Sequence, residues 1–231
     1  MRGKLAGVVG VWFLAGVALA AADFWEEKDF TAWSDKEVEK MLTDSPWAKG
    51  VRIVVGSLTE DGLPIPAQPS GPTNIPFDEC GGEQFGAIQR HKITVSWTSA
   101  LPIKQAFVRR AAGLDGQVTP ESQRMLDGDE PYYTVTLLGL PPAFASLASM
   151  RDALKAETIL KRKDKAPIAP EEVRLFQDSV DLSIRVLFLF PKTDAIILDD
   201  KDVELVTRLG DNEVKKKFKL ADMVFGDRLE L

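Results

Sequence analysis

The chain has 231 residues, of which 45% are hydrophobic, and its formal net charge is −6 at pH 7. That hydrophobic content is enough for a buried core, whereas the acidic balance lacks the basic character typical of nucleic-acid-binding proteins. The single cysteine, Cys80, excludes an intramolecular disulfide bond.

The N-terminus has the layout of a secretory signal peptide. Arg2 and Lys4 precede an uncharged apolar run of 18 residues, which ends in small residues of the kind that signal peptidase recognises. We expect residues 1–22 to be removed by cleavage after Ala20 or Ala22, which leaves residues 23–231 as a single domain with a formal charge of −8. The alternative is an uncleaved anchor, because 18 apolar residues just reach membrane-spanning length. No later segment approaches that length, so the cleaved protein is expected to have no membrane span.

The first predicted helix begins at Asp35, because Ser34 and Glu37 have the spacing of a capping box. Ser45-Pro46 predicts a further short helical turn that ends at Gly50, and a strand is expected over Val51 to Val55. Gly56 to Arg90 then contains five prolines and six glycines in 35 residues. This composition predicts a Pro/Gly-rich loop that is either functional or disordered.

The middle of the chain alternates strands with helices. His91 to Trp97 alternates in polarity, which predicts a half-buried strand. Pro102 suits the first turn of the next helix, on which Arg109 and Arg110 are expected to face solvent while Ala111 faces the core. The remaining predictions here are a short helix from Thr119, a strand over Tyr132 to Leu140, and a longer helix whose apolar stripe runs from Ala143 to Leu154 and which ends in Lys161-Arg162-Lys163.

The C-terminal part is the most strand-like. The continuously apolar segment Val186 to Phe190, which Pro191 ends, predicts a central strand. A β-hairpin is expected around the turn at 210–213, in a register that pairs Leu209 with Val214, Leu205 with Phe218, Val203 with Leu220, and Glu204 with Lys219. Together these elements predict an α+β fold with a mixed or mainly antiparallel sheet, packed helices and a C-terminal β-hairpin.

Cys80 and His91 are the candidates for catalysis. A thiol beside two glycines has room for a substrate, and a histidine is a suitable base for it. The adjacent Asp78 and Glu79 oppose this role, because negative charge raises the pKa of a thiol. An unpaired loop cysteine and a histidine at a strand end are the simpler interpretation. One cysteine and one histidine do not make a usual zinc site, so no metal and no cofactor is predicted.

Trp25, Trp33 and Trp47 are the candidates for a binding surface, since indole rings stack on sugars or peptides, with Tyr132 and Tyr133 as further members. Packing within the core or at its edge is the alternative that the sequence favours. The two basic runs, Lys161-Arg162-Lys163 and Lys215-Lys216-Lys217, are interpreted as a solvated helix end and a charged strand face rather than as anion contacts.

Two stretches carry a resemblance. The first is WSDKEVEKMLTDSPWAK, from Trp33 to Lys49, and the second combines FLFPKT, from Phe188, with FKLADM, from Phe218. Together they resemble uncharacterised exported bacterial proteins. The resemblance implies export and a bacterial origin, and it supplies no activity, cofactor or site residue.

The leading hypothesis is therefore an exported, non-enzymatic protein that binds an envelope or extracellular partner, in the periplasm or outside the cell. Nucleic acid is not an expected partner, given the acidic charge. The competing hypothesis is a secreted hydrolase or thiol-dependent enzyme that uses Cys80 and His91.

Overall fold

A computed structural model describes residues 23–55, 89–113, 117–128, 130–149 and 151–231. The helices of this part of the chain are α1 (Phe24–Glu27), α2 (Asp35–Thr43), α3 (Leu101–Ala112), α4 (Pro120–Asp127) and α5 (Arg151–Ala156). Short 3₁₀ segments lie at Phe30–Ala32, Pro142–Ala148, Leu198–Asp200 and Leu220–Met223. The strands are β1 (Asp44–Ser45), β2 (Ala48–Val55), β3 (Gln89–Trp97), β4 (Tyr132–Leu140), β5 (Ile159–Arg162), β6 (Glu172–Gln177), β7 (Ile184–Pro191), β8 (Asp202–Leu209), β9 (Asn212–Lys219), β10 (Val224–Phe225) and β11 (Arg228–Leu229).

The strands form two main sheets. Six antiparallel strands are ordered β1-β2-β3-β4-β7-β6, and three more are ordered β5-β8-β9, while β10 and β11 pair with each other. The predicted α+β class, with packed helices, a mainly antiparallel sheet and a C-terminal hairpin, is confirmed. No helix within the described ranges is both long and apolar enough to cross a membrane.

The core lies between the two sheets. Trp97 of β3 is fully buried and meets Phe218 of β9 edge to face, with ring centroids 5.9 Å apart, and it meets Tyr133 of β4 at 6.1 Å. The contact with Phe218 joins the six-stranded sheet to the three-stranded sheet. As predicted for β3, Ile93, Val95 and Trp97 share a buried face, but Ser96 on the opposite face is buried too.

The predicted capping box starts α2. The Ser34 hydroxyl accepts a hydrogen bond from the Glu37 amide at 3.4 Å, and the Ser34 amide donates to the Glu37 carboxylate at 2.8 Å. Lys28 forms an ion pair with the same carboxylate, and together these contacts lower the pKa of Glu37 to about 2, with Lys28 as the largest cause. The helical turn expected between Ser45 and Gly50 is wrong, because β1 and β2 form a tight hairpin there. The Ser45 hydroxyl accepts from the Ala48 amide at 3.2 Å and so closes that turn.

The long helix expected after Leu140 is also wrong. The segment is a 3₁₀ stretch followed by the short helix α5, whose end is capped by the Thr158 hydroxyl donating to the Leu154 carbonyl. The basic run is not a solvated helix end either, because Lys161 and Arg162 belong to strand β5. The Arg162 side chain is fully buried and forms an ion pair with Asp194. That carboxylate raises the pKa of Arg162, and Arg162 in turn lowers the pKa of Asp194.

Two side-chain orientations on α3 differ from the prediction. Arg109 is buried rather than solvent-facing, and it donates to the carbonyls of Trp33 and Gly113. It therefore ties the helix to the N-terminal segment and satisfies a carbonyl at the helix end. Ala111, predicted on the apolar face, is exposed, while Arg110 faces solvent as expected.

The C-terminal hairpin has the predicted faces but a different register. Val203 pairs with Phe218, Leu205 with Lys216, and Leu209 with Asn212, which is two residues away from the predicted pairing. The turn contains two residues, and Gly210 adopts a φ of +60° at its first position, as a type II′ turn requires. A shift of two residues preserves which side chains face the core, so the apolar pattern alone did not distinguish the two registers.

Candidate functional site

The connection between β6 and β7 presents apolar side chains to solvent. We call residues 176–183 the β6–β7 tip. Its exposed side chains are Phe176 at 49%, Val180 at 90% and Leu182 at 51% of their full accessible area. Clustered exposed side chains of this size mark interaction surfaces more often than scattered ones do.

A local hydrogen-bond network fixes the conformation of the tip. The Asp178 carboxylate accepts from the Val180 amide at 2.9 Å, and the Asp181 carboxylate accepts from the Ser183 amide at the same distance. The Asp178 amide donates to the Ser183 carbonyl at 2.8 Å, which closes the connection across its base. Side-chain hydrogen bonds of this kind replace those of a regular turn. The backbone that carries the apolar side chains is therefore held by hydrogen bonds within the tip.

Leu182 adopts a left-handed backbone conformation, with a φ of +57°. Asp164, Lys201 and Asp227 are the other non-glycine residues at positive φ in the described ranges, and among the four only Leu182 is apolar. A leucine in this region costs about 1–2 kcal/mol relative to a right-handed conformation. Leu182 is thus both strained in its backbone and exposed in its side chain. Backbone strain of this kind is found mainly at functional sites.

A groove of about 310 Å³ runs beside the tip. Its floor comes from β3, β4 and β7, and its walls come from α2 and α3 on one side and from the tip on the other. The charged side chains that line it are Glu39, Lys92, Arg110, Asp178, Asp181 and Arg185, and Leu42, Phe107 and Leu138 supply apolar surface. The groove thus places the tip next to a wall that combines charged and apolar contacts.

The charges of the groove are mostly paired. Arg110 and Glu39 lie 2.7 Å apart, and Arg185 and Asp178 lie 3.8 Å apart. The amide and hydroxyl of Ser183 lower the pKa of Asp181, so this carboxylate stays ionised well into acid. Asp178 and Asp181 therefore give the apolar tip an acidic border at neutral pH.

A second crevice, of about 350 Å³, lies at the opposite end of β4. It is lined by Thr98, Ser99, Tyr132 and Arg174, among others. The Ser99 hydroxyl accepts from the Thr134 amide at 2.9 Å, and Arg174 is held by Glu172 in a two-bond ion pair. The Glu171 carboxylate raises the pKa of Tyr132. Ser99 and Arg174 thus have partners within the fold, and Glu130, which also lines the crevice, forms an ion pair with Lys104 at 2.9 Å.

The three tryptophans predicted as a possible binding surface are buried. Trp33 and Trp47 are fully enclosed, and Trp25 is 6% exposed. Trp25 lies edge to face on Trp47 at 5.9 Å, and the Trp47 indole donates to the Glu230 carbonyl at 2.8 Å. These rings hold the N-terminal and C-terminal segments against each other, so the structure favours the packing interpretation over an aromatic platform. Tyr133 is buried too, and its hydroxyl accepts from the Ile196 amide.

Of the two catalytic candidates, the structure describes only His91. Cys80 lies outside the described residues, so its proposed role with His91 stays a prediction. His91 is half-buried on β3, where it pairs with Ile53 of β2. Within the described ranges, no group of three or more histidine, cysteine, aspartate or glutamate side chains is arranged to hold a metal ion.

Sequence reasoning missed Phe176, Val180 and Leu182, because an isolated apolar residue in a polar loop does not stand out. A usable signal was present in Asp178 and Asp181, each of which precedes by two residues the amide that it accepts from. This spacing is typical of Asx turns. Two such turns around a valine indicate an ordered loop that displays the valine.

No protein-family model, no curated protein and no solved structure matches the chain. The function is therefore argued from the geometry of the molecule.

Proposed function

We propose that this chain is an exported, non-enzymatic binding domain that docks on a partner protein through the β6–β7 tip. The observation that carries the proposal is the tip itself: three large apolar side chains stand in solvent on a hydrogen-bonded frame, with Leu182 at a φ of +57°. A preordered apolar anchor loses little entropy on binding, which is the usual property of an interface hot spot.

The acidic border of the tip favours one kind of partner. Asp178 and Asp181 flank Val180, so a complementary site combines an apolar pocket with a basic rim. An anionic membrane surface is disfavoured, because it repels the two carboxylates. The groove beside the tip supplies further contacts for the partner, since it mixes ion pairs with the rings and aliphatic chains of Phe107 and Leu42.

Export is supported by the N-terminal pattern of basic residues, an apolar run and small residues before Asp23. The resemblance to exported bacterial proteins points the same way. We propose that the protein works in the periplasm or outside the cell, and that its partner is an envelope or extracellular protein.

The test is site-specific crosslinking of the full chain in the organism that encodes it. A photoreactive amino acid replaces Val180 in one sample and Ile197, an apolar residue that is 46% exposed elsewhere, in the other. We expect a discrete adduct from position 180 alone. The crosslinked partner, once purified, should bind the Phe176→Ser variant at least about tenfold more weakly, as for a hot-spot residue. We also expect N-terminal sequencing of the same material to give Ala21 or Asp23.

Two outcomes contradict the proposal. Adducts of equal yield from positions 180 and 197 would show that exposed apolar side chains of this protein react without a specific site. Met1 retained on membrane-bound protein would contradict signal cleavage and favour the anchor.

A further inference from the structure

The edges of β2 and β9 lie side by side without forming a backbone ladder. Side chains of β9 bridge the gap instead. Asn212 mimics a peptide group, because its carboxamide accepts from the Val54 amide and donates to the Val54 carbonyl, both at 2.8 Å. Lys216 donates to the Gly50 carbonyl at 3.0 Å. These bonds fix the spacing of the two strands and leave a crevice of about 550 Å³ between them, which we call the β2–β9 crevice.

Lys216 occupies an unusual place for a lysine. It lies on the inward face of β9, between Val214 and Phe218, which are both fully buried. Its half-buried ammonium group has three donors, of which the neutral Gly50 carbonyl takes one. Among the described residues no carboxylate pairs with this ammonium group, so the Gly50 bond between the strands offsets its partial burial without neutralising the charge.

Three further cations line the same crevice. Arg52 and Lys92 are direct cross-strand partners, a like-charge pairing that weakens a sheet. Gly50 makes room for Lys92, because a Cβ atom at Gly50 would lie 2.6 Å from Cε of that lysine. Lys215 is the fourth cation, and it forms an ion pair with Glu213 at 2.8 Å. Among the described residues, no carboxylate lies within 4.0 Å of Arg52, Lys92 or Lys216.

We infer that the β2–β9 crevice is a binding site for a tetrahedral oxyanion of the phosphate or sulfate class. In a chain of net charge −6, four cations line this crevice, and among the described residues three of them have no carboxylate within 4.0 Å. A multivalent oxyanion offers several acceptors at once, and its bonds to ammonium and guanidinium groups are stronger than neutral hydrogen bonds. Such an anion offsets both the cross-strand repulsion and the desolvation of Lys216. This inference does not rest on the β6–β7 tip, although Lys92 also lines the groove beside the tip.

The first test is calorimetric titration of the full chain with inorganic phosphate, with ionic strength held constant by chloride. Lys216→Met and Lys92→Met remove the charge and keep most of the apolar stem. Each variant should bind phosphate about tenfold or more weakly, because it loses a charge-assisted hydrogen bond to the anion. Lys219→Met is the matched control, since Lys219 is an exposed residue on the outward face of the same strand. It should bind like the unaltered chain.

The second test separates a free anion from a lipid headgroup. Flotation with vesicles of equal parts phosphatidylglycerol and phosphatidylcholine is compared with the phosphate titration. Lys92-dependent heat with phosphate supports a free oxyanion, and Lys92-dependent flotation without that heat supports a headgroup. Lys92 serves here because its replacement leaves the Lys216 bond between the sheets intact. Phosphate affinity that is unchanged in both methionine variants, or an unaltered chain that shows neither heat nor flotation, overturns the inference.

Discussion

The β8–β9 and β6–β7 hairpins of this chain both reverse its direction through a residue at positive φ, but the residue differs between them. The β8–β9 hairpin turns in two residues and places Gly210 at a φ of +60°. The β6–β7 hairpin uses a longer connection, and the residue that it places at positive φ is Leu182. Glycine adopts this conformation at little cost, whereas leucine does not. The β8–β9 turn therefore adopts a positive φ without backbone strain. The β6–β7 connection keeps a strain at Leu182 that a glycine would remove.

The two hairpins also differ in where their apolar side chains lie. Val203, Leu205, Val214 and Phe218 of β8–β9 are fully buried against the six-stranded sheet. Phe176, Val180 and Leu182 of the β6–β7 tip stand about half exposed or more. Burial of apolar surface is the main favourable term in folding, so the first set stabilises the domain and the second adds little. The comparison indicates that β8–β9 serves stability and that the β6–β7 tip serves contact with another molecule.

The same substitution in each hairpin should give the largest contrast. We expect Phe218→Ala to lower the free energy of unfolding by about 3–5 kcal/mol, because it leaves a cavity beside Trp97. Phe176→Ala should lower it by less than about 1 kcal/mol, since half of that ring is already exposed. Urea denaturation of both variants measures the difference. Similar losses would mean that the tip belongs to the folding core.

Replacing the residue at positive φ in each hairpin should change the free energy of unfolding by an intermediate amount. Gly210→Val is expected to destabilise the chain by about 1–2 kcal/mol, because a β-branched residue is strained at a φ of +60°. Leu182→Gly relieves strain in the folded state but adds freedom to the unfolded chain, so its net effect should stay within about 1 kcal/mol.

Thermal unfolding of the two variants at matched pH checks these values. If Leu182→Gly destabilised the chain more than Gly210→Val, Leu182 would be a structural residue. The proposed division between a stabilising β8–β9 hairpin and a binding β6–β7 tip would then be wrong.

The sequence predicted those parts of the fold whose signals are local. The strand predicted over Tyr132 to Leu140 has the bounds of β4, and the capping residues Ser34 and Glu37 mark the start of α2. Strand β5 was missed because it has four residues, two of them basic, and its pairing partner β8 lies far along the chain. A short strand of this kind is specified by tertiary contacts rather than by its own pattern.

The sites were less accessible from the sequence than the fold. The β2–β9 crevice joins strands separated by more than 150 residues, as the Asn212 and Lys216 contacts show. The run Lys215-Lys216-Lys217 looks uniform in sequence, yet of the three only Lys216 lies on the face of β9 that carries Val214 and Phe218. The exposure of Val180 likewise depends on how β6 and β7 pair.

The smallest expected effect concerns the carboxylate that holds the β6–β7 tip, compared with a carboxylate in the β8–β9 turn. Asp181 accepts from the Ser183 amide, and this bond lowers the pKa of the carboxyl. The ionised form therefore keeps the bond at neutral pH, and protonation weakens it only as the pH falls through that lowered pKa. Asp181→Ala should speed hydrogen exchange of the Ser183 amide at neutral pH, and by less as the pH falls through the lowered pKa, while changing global stability by less than about 0.5 kcal/mol. Asp181→Asn keeps an acceptor oxygen and should abolish the acid-dependent loss of protection.

Asp211→Ala is the control, because no hydrogen bond of the Asp211 side chain is seen among the described residues. Unchanged Ser183 exchange in Asp181→Ala, measured by NMR, would show that this bond does not hold the tip.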